Sequence, residues 1–306
     1  MKLRVLVSDP LADDSVAAMR QAGLTVDVKT NLSPDELAKE VADYDAIVIR
    51  GATKLRAPII DSASKLRLIV RAGVGMDNID VEYARSKHIE VRNTPAASSS
   101  SVAELALGHL ISLARYIGRG TVSLKNGNWE KKTLKGVEIE GKTLGIIGIG
   151  RIGQSLAKKA KALDMEVVAF DKFINESPLP EVVTMVSFDR LLKESDFISL
   201  HIPFDPKEGA VLGRDEFALM KNSVRIINCA RGGVIDEVAL ADALASGQVA
   251  CAALDVFATE PPDMNDALFS QPNLSLTPHI GAATVEAQAR VGKEAAEIVI
   301  KFAKSN

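Results

Sequence analysis

The sequence predicts an α/β protein of two doubly wound parallel-sheet domains, and three observations carry that expectation. Short apolar runs alternate with amphipathic segments in one series up to about residue 95. A second such series opens at Lys142. The length of 306 residues matches two domains of roughly 150 residues, each able to bury its own core. In the first series residues 3–7, 25–28, 46–49 and 68–70 read as strands, because continuous apolar runs are what a sheet covered on both faces requires. Ser33 and Asp61 stand near the ends of the helices between them. Ser101 and Glu104 then have capping-box spacing, and residues 102–117 are apolar on nearly every side, which predicts one helix buried between domains or subunits. The second series places strands at 144–147, 167–170, 197–200, 225–228 and 252–256. Residues 284–303 have helical spacing and no strand after them, so this last helix is expected to pack back across the first domain. The division expected is 1–95 plus 285–306 for one domain and 96–284 for the other.

Composition removes several function classes. A net charge of -3 argues against nucleic acid as the main partner, since phosphate-backbone binding usually leaves a strongly basic stripe. No run approaches the roughly 20 apolar residues that cross a bilayer, and the opening KLRVLVSDP reads as a strand and turn with no leader. The two cysteines, Cys229 and Cys251, lie in apolar runs, which suits a reducing compartment. A cytoplasmic protein with no membrane and no nucleic-acid partner is expected.

The strongest local motif follows the strand at 144–147. Gly148, Gly150 and Gly153 form GxGxxG and open a helical stretch from Ile152. The first glycine permits a tight turn, the second lets backbone approach a pyrophosphate, and the third lets helix and strand pack closely. Alone, three glycines at this spacing also fit a simple turn; here they lie between strand and helix, whose N-terminus offers unpaired N–H groups to phosphates. Asp171 ends the next strand about 20 residues on, where a carboxylate accepts from an adenosine ribose and repels a 2'-phosphate. The expected cofactor is NAD rather than NADP, with Lys172 the one residue that tempers the choice.

Four histidines are present, none in the HExxH or clustered Cys/His spacing of a metal site, so no metal is expected. His279 in TPHIGAAT stands between a proline and a Gly-Ala-Ala run. His88 reads as exposed, and His109 as a core histidine of the buried helix. Glu260 in DVFATEPP and Arg231 in NCARGG join His279 at strand ends of the second domain, the edge where open parallel sheets bind ligands. Alcohol oxidation needs such a set: a histidine to take the hydroxyl proton, a carboxylate to orient it, and a guanidinium fork for a planar carboxylate.

Taken together, IRGATK, RAGVGMDNID, NTP, the GIGRIG turn, NCARGGVIDE, ALDVF, EPP and PHIGAAT cover nearly the whole chain. In these motifs the sequence resembles the D-isomer-specific 2-hydroxyacid dehydrogenases, nearest the phosphoglycerate dehydrogenase branch. The resemblance implies a Rossmann NAD-binding domain and a flavodoxin-like substrate domain whose closure excludes water, with Arg231, Glu260 and His279 as the catalytic three. It implies cofactor contacts from Val74, Arg151, Ile152, Asp171, Ile202, Cys229, Ala230, Arg231, Asp255, His279, Ile280, Gly281 and Ala282, besides the three glycines, with Asp255 on the nicotinamide carboxamide. Arg50, Thr53 and Arg71, aided by Lys54, are the expected anion site for a phosphorylated substrate, alongside Arg231. The activity implied is oxidation of 3-phospho-D-glycerate to 3-phosphooxypyruvate, the opening step of serine synthesis, by a homodimer joined through the segment after the first domain. The alternatives are a glyoxylate or hydroxypyruvate reductase, and an NAD-sensing corepressor on the same scaffold. Two departures stand out. No regulatory segment follows the last helix, so serine feedback through one is not expected. Ile202 stands where many relatives carry a small hydroxyl residue, so one side-chain hydrogen bond to the cofactor is missing.

Overall fold

A computed structural model describes residues 3–305 and divides the chain into two compact units. One comprises the residues up to Ser98 and those from Ala282 onward; the other runs from Ser99 to Gly281. Both boundaries fall three residues from the expected ones, because the helix that opens the second unit starts at Ser99 and the chain leaves its last turn at Gly281.

The first unit holds strands β1 (Arg4–Val7), β2 (Thr25–Val28), β3 (Ala46–Ile49), β4 (Leu68–Arg71) and β5 (Glu90–Asn93) in one parallel sheet of order β2-β1-β3-β4-β5. That order is the flavodoxin-like one. β3 is buried along its whole length, as its Ala-Ile-Val-Ile sequence demands of a central strand. β5 escapes the sequence pattern because Glu-Val-Arg-Asn on an edge strand has no apolar run. Ser33 caps the helix Pro34–Val41 through a reciprocal box with Glu36. In the helix Val285–Ser305, Val291, Ala295 and Val299 recur every four residues on one face and, with Ala296, pack into this unit's core. The helix returns to the first unit, as its position after the last strand requires.

The second unit holds β6 (Thr143–Ile147), β7 (Glu166–Phe170), β8 (Thr184–Met185), β9 (Phe197–Leu200), β10 (Arg225–Asn228), β11 (Cys251–Leu254) and β12 (Leu274–Leu276). All pairs are parallel in the order β12-β11-β10-β9-β6-β7-β8. The winding reverses between β6 and β9, which makes the crevice at their carboxyl ends the topological switch point of a Rossmann sheet. β8 and β12 have two and three residues, too few to leave a periodic signal. β11 stops at Leu254, two residues before the expected end, because Asp255 turns its carboxylate to the following loop.

Residues 102–117 depart from expectation in two ways. The helix runs Ser99–Arg115 and ends where Tyr116 turns left-handed at φ 54°, and a second helix, Ile117–Lys125, follows. Ser101 does not cap it. Its residue is buried within the helix and its hydroxyl donates to the Gly281 carbonyl, whereas Ser100 donates to Glu104.

Candidate active site

Parallel winding of the second sheet delivers every loop after a strand to one edge, so β6, β7, β9, β10, β11 and β12 present their carboxyl-terminal turns together. After β6 the backbone turns at Gly148 with φ 96°, and a Cβ there would meet the His201 carbonyl oxygen at 2.6 Å. At Gly153 a Cβ would stand 2.3 Å from the Gly148 carbonyl oxygen, so only glycine lets the helix Arg151–Lys161 seat this close. At Gly150 the same position is open space. Gly150 is also the N-cap and supplies no side-chain acceptor, so the first-turn N–H groups of Arg151 and Ile152 have no capping side chain. Leu156, Ala157 and Ala160 bury the rest of that helix, together with Gly153. These features fit a dinucleotide pyrophosphate: a cleared approach and a positive helix end.

Asp171 follows β7, and its carboxylate accepts from Ile149 N at 3.0 Å, Phe173 N at 2.9 Å and Ile174 N at 3.2 Å. Three main-chain donors hold the charge in place beside the glycine turn, with acceptor capacity left for a ribose. Lys172, beside Asp171 in sequence, pairs with Glu208. Ile202 after β9 packs its side chain over Gly148. Before it, His201 has a covered Nδ1 with no hydrogen-bond partner, although the residue as a whole is only partly buried; burial pushes its pKa down to about 4.

After β10, Cys229 is buried, and desolvation followed by the Asp255 charge holds its thiol protonated, far above the usual range. Ala230 N donates to Asn228 Oδ1 at 3.0 Å, and Asn228 Nδ2 donates to the Arg231 carbonyl at 2.9 Å, closing the turn that carries Arg231. A Cβ on Gly232 would lie 1.8 Å from the Phe257 carbonyl oxygen. The glycine therefore lets the Arg231 turn and the Glu260 loop touch, although 28 residues separate Arg231 from Glu260 in sequence.

Glu260 Oε1 accepts from Phe257 N at 3.1 Å, and Oε2 lies 2.6 Å from His279 Nδ1. The pair leaves Nε2 as the ring nitrogen open to a substrate. His279 adopts φ 51°, a left-handed conformation rare for a side chain of this size, and Pro278 precedes it. Asp255 does not offer both its oxygens outward. It is 1% exposed; Oδ1 accepts from Thr277 Oγ1 at 2.6 Å and from Ile280 N at 2.8 Å, and Oδ2 from Gly281 N at 2.8 Å. Both oxygens thereby hold the loop that displays His279.

Residues without a legible motif support this arrangement. Glu237 accepts from Ala258 N at 2.6 Å and braces the Glu260 loop; burial raises its pKa, and that backbone bond opposes the rise. Thr277 lies two positions before His279, and His109 Nε2 reaches its hydroxyl at 3.0 Å. The ALDVF and VIDE runs contain Asp255 and Glu237, but nothing in the spacing tells a loop brace from a ligand contact.

In the first unit, Arg50 and Thr53 follow β3, and Arg71 and Val74 end and follow the neighbouring β4, so all four share one edge of that sheet. Thr53 is engaged locally: its hydroxyl lies 2.8 Å from Asp9 Oδ1 and 2.6 Å from Ser8 Oγ. Asp9 also accepts from Arg50 N, and Asn78 Nδ2 donates to the carbonyls of Arg50 and Thr53 at 2.7 and 2.6 Å. Thr53 thus shapes the loop, and Arg50 and Arg71 carry the charge. Burial pushes the Arg50 guanidinium below its usual pKa while the Asp9 charge opposes that shift. Asn93 Nδ2 donates to the Val74 carbonyl. Among the described residues no three His, Cys, Asp or Glu side chains are grouped to hold a metal, and no helix is long and apolar enough to cross a membrane.

Comparison with known proteins adds an independent result. Residues 107–281 match the family described as D-isomer specific 2-hydroxyacid dehydrogenase, NAD binding domain. The chain is 48% identical over 302 residues to a hydroxypyruvate reductase of Thermotoga maritima, covering 98% of both. It is 46% identical over 301 residues to a D-3-phosphoglycerate dehydrogenase of Methanocaldococcus jannaschii, covering 98% of this chain and 57% of that relative, so it spans little more than half of the latter's length. Among solved structures, the D-lactate dehydrogenase of Aquifex aeolicus complexed with NAD and lactic acid superposes with a TM-score of 0.84 at 30% identity, covering 99% of this chain and 96% of that one.

Proposed function

Because the chain belongs to the D-isomer-specific 2-hydroxyacid dehydrogenases and is an NAD-dependent oxidoreductase, we propose that it interconverts 3-phospho-D-glycerate and 3-phosphooxypyruvate, with His279 as acid/base. The single observation that carries the chemical part is the 2.6 Å contact between His279 Nδ1 and Glu260, at the same sheet edge as the glycine turn.

When bound, NAD supplies the acceptor for the hydride that leaves C2. The chain's residues do the rest. Gly148, Gly150 and the first turn of the helix Arg151–Lys161 receive the pyrophosphate, and Asp171 receives the ribose and disfavours a 2'-phosphate. Arg231 holds the substrate carboxylate and the reacting oxygen through its planar fork. His279 Nε2 takes the hydroxyl proton in oxidation and returns it in reduction, while Glu260 keeps the other ring nitrogen protonated. Ile202, Cys229, Ala230 and Ile280 contribute walls and main-chain groups.

Arg50 and Arg71 support the phosphorylated substrate, since adjacent strands bring both cations to one edge. A second reading, a hydroxypyruvate or glyoxylate reductase, is favoured by the Thermotoga maritima relative, which this chain matches along nearly its whole length. A panel of 2-hydroxy and 2-oxo acids, each assayed with NAD(H) and NADP(H), separates them. The phosphorylated pair is expected to give the highest kcat/KM with NAD(H), and Arg50→Ala or Arg71→Ala to raise KM for it alone. An unchanged KM, or a higher kcat/KM for hydroxypyruvate, refutes the phosphoglycerate assignment. A cytoplasmic homodimer belongs to the same reading; exposed Ile117, Val122, Leu124 and Trp129 on and after the helix Ile117–Lys125 supply an apolar face, and light scattering gives the mass.

A further inference from the structure

The loop that carries His279 is fastened from the interior of the second unit at two points, both on the helix Ser99–Arg115. Ser101 Oγ donates to the Gly281 carbonyl at 2.6 Å, and His109 Nε2 lies 3.0 Å from Thr277 Oγ1. The hydrogen-bond directions follow from counting protons. Thr277 has a single hydroxyl proton, and it goes to the buried Asp255 carboxylate at 2.6 Å. The Thr277 oxygen must then accept, so His109 presents Nε2–H to it. A neutral imidazole in that tautomer suffices. Burial lowers the His109 pKa while the Asp255 charge only partly opposes it, and a neutral donor brings no second charge into the core.

From His109 the chain continues through Thr277 to Asp255, and from the same carboxylate to Ile280 N and Gly281 N at 2.8 Å each. These bonds fall on both sides of His279, which holds a left-handed backbone at φ 51°. A left-handed histidine relaxes to ordinary backbone unless its neighbours are held. We infer that His109 is a positioning residue for His279: its Nε2–H orients the Thr277 hydroxyl onto Asp255, and Asp255 fixes the backbone on which the acid/base histidine stands. Nothing in the proposed chemistry uses His109 directly. This inference rests on the assignment of His279 as the proton carrier.

The test compares His109→Leu, His109→Gln and Thr277→Val with wild type and with His279→Ala. Loss of one neutral hydrogen bond in the chain is expected to lower kcat about tenfold in His109→Leu, with substrate KM and NADH Kd within about twofold. Thr277→Val, close in shape, is expected to do the same, and the double variant to be no slower than either single one, because both break the same chain. His109→Gln, whose amide N–H reaches the same oxygen, is expected to recover most of kcat. A second readout needs no turnover: in 15N-labelled protein the His109 Nε2–H gives a hydrogen-bonded imidazole signal that Thr277→Val abolishes. A wild-type kcat in Thr277→Val, strict multiplicativity of the two single effects, or His109→Gln no faster than His109→Leu overturns the inference. If His279→Ala loses turnover while Thr277→Val does not, the positioning role alone fails. If His279→Ala turns over at the wild-type rate, the assignment of the proton carrier fails first. Should His109→Leu fail to fold, Thr277→Val and His109→Gln carry the comparison.

Discussion

Replacing Glu260 by glutamine is a sharper test of the site than removing the side chain. The carboxylate receives two donors, Phe257 N–H at 3.1 Å and His279 Nδ1 at 2.6 Å. A glutamine has one oxygen. The main-chain N–H of Phe257 cannot change, so the amide oxygen goes there and its NH2 group faces Nδ1. That contact forms only when Nδ1 is bare, and the neutral ring then carries its proton on Nε2, the nitrogen that must be bare to accept the substrate proton. Recovering the productive tautomer sets two donors against each other and forfeits a bond. Unmade hydrogen bonds cost about 1–3 kcal/mol each, and the side chains are 52% and 37% exposed, so solvent reduces the total to about 2–3 kcal/mol. In kcat for oxidation this is about 30- to 150-fold. Glu260→Ala, by contrast, lets water meet Nδ1 in either tautomer and is expected to cost only about tenfold. The expected order is therefore wild type, then alanine, then glutamine. Steady-state oxidation at saturating substrate measures it, with NADH Kd from fluorescence titration expected to stay within about twofold. An alanine variant as slow as glutamine, or a glutamine variant at the wild-type rate, refutes the tautomer argument.

Three further outcomes follow from other parts of the molecule. Gly153→Ala drives a methyl to 2.3 Å from the Gly148 carbonyl, so calorimetry is expected to show a loss of about 1–3 kcal/mol and NADH titration a weaker affinity; an unchanged Tm contradicts the close-packing role. Asp171→Ala removes the charge held by Ile149, Phe173 and Ile174 N–H, and is expected to raise the NAD KM and narrow the preference over NADP by about tenfold or more; an unaltered NAD/NADP ratio of kcat/KM rules out its selective role. His201 stays neutral in the folded chain to about pH 4, whereas an unfolded histidine protonates near 6.5; below that pH the unfolded state gains a proton that the native state refuses, and stability is lost as pH falls. The loss from this group is on the order of 2 kcal/mol at pH 5, and His201→Gln is expected to flatten that part of the Tm profile; an equally steep profile in the variant counts against the assignment.

The two-sheet architecture, the Rossmann turn and the return of the last helix were all legible in the sequence, because each rests on local chemistry. Continuous apolar runs require a covered parallel sheet, and glycines at 148, 150 and 153 mark places where any side chain collides with backbone or fills the approach to the helix end. Family motifs extended that reading to His279 and Glu260, which the fold brings within 2.6 Å. What remained hidden was of two kinds. β5, β8 and β12 are edge or two- to three-residue strands whose pairing is set by a neighbour and not by their own pattern. The break at Tyr116 and the burial of Ser101 likewise depend on what lies opposite the helix, so an apolar stretch read as one helix became two.

The sequence by itself determined which chemical groups the protein has to work with: a histidine, a glutamate and an arginine at strand ends, and glycines at a tight strand-to-helix turn. Tertiary structure decided what each carboxylate does. Asp255 and Glu260 are five residues apart and identical in charge, yet Asp255 is covered and spends its oxygens on Thr277, Ile280 and Gly281, while Glu260 meets His279. The partner of a carboxylate is whatever donor the fold brings within about 3 Å, and the donors from Thr277, His279, Ile280 and Gly281 stand 19 to 26 residues away in sequence. Spacing along a chain carries no record of that distance.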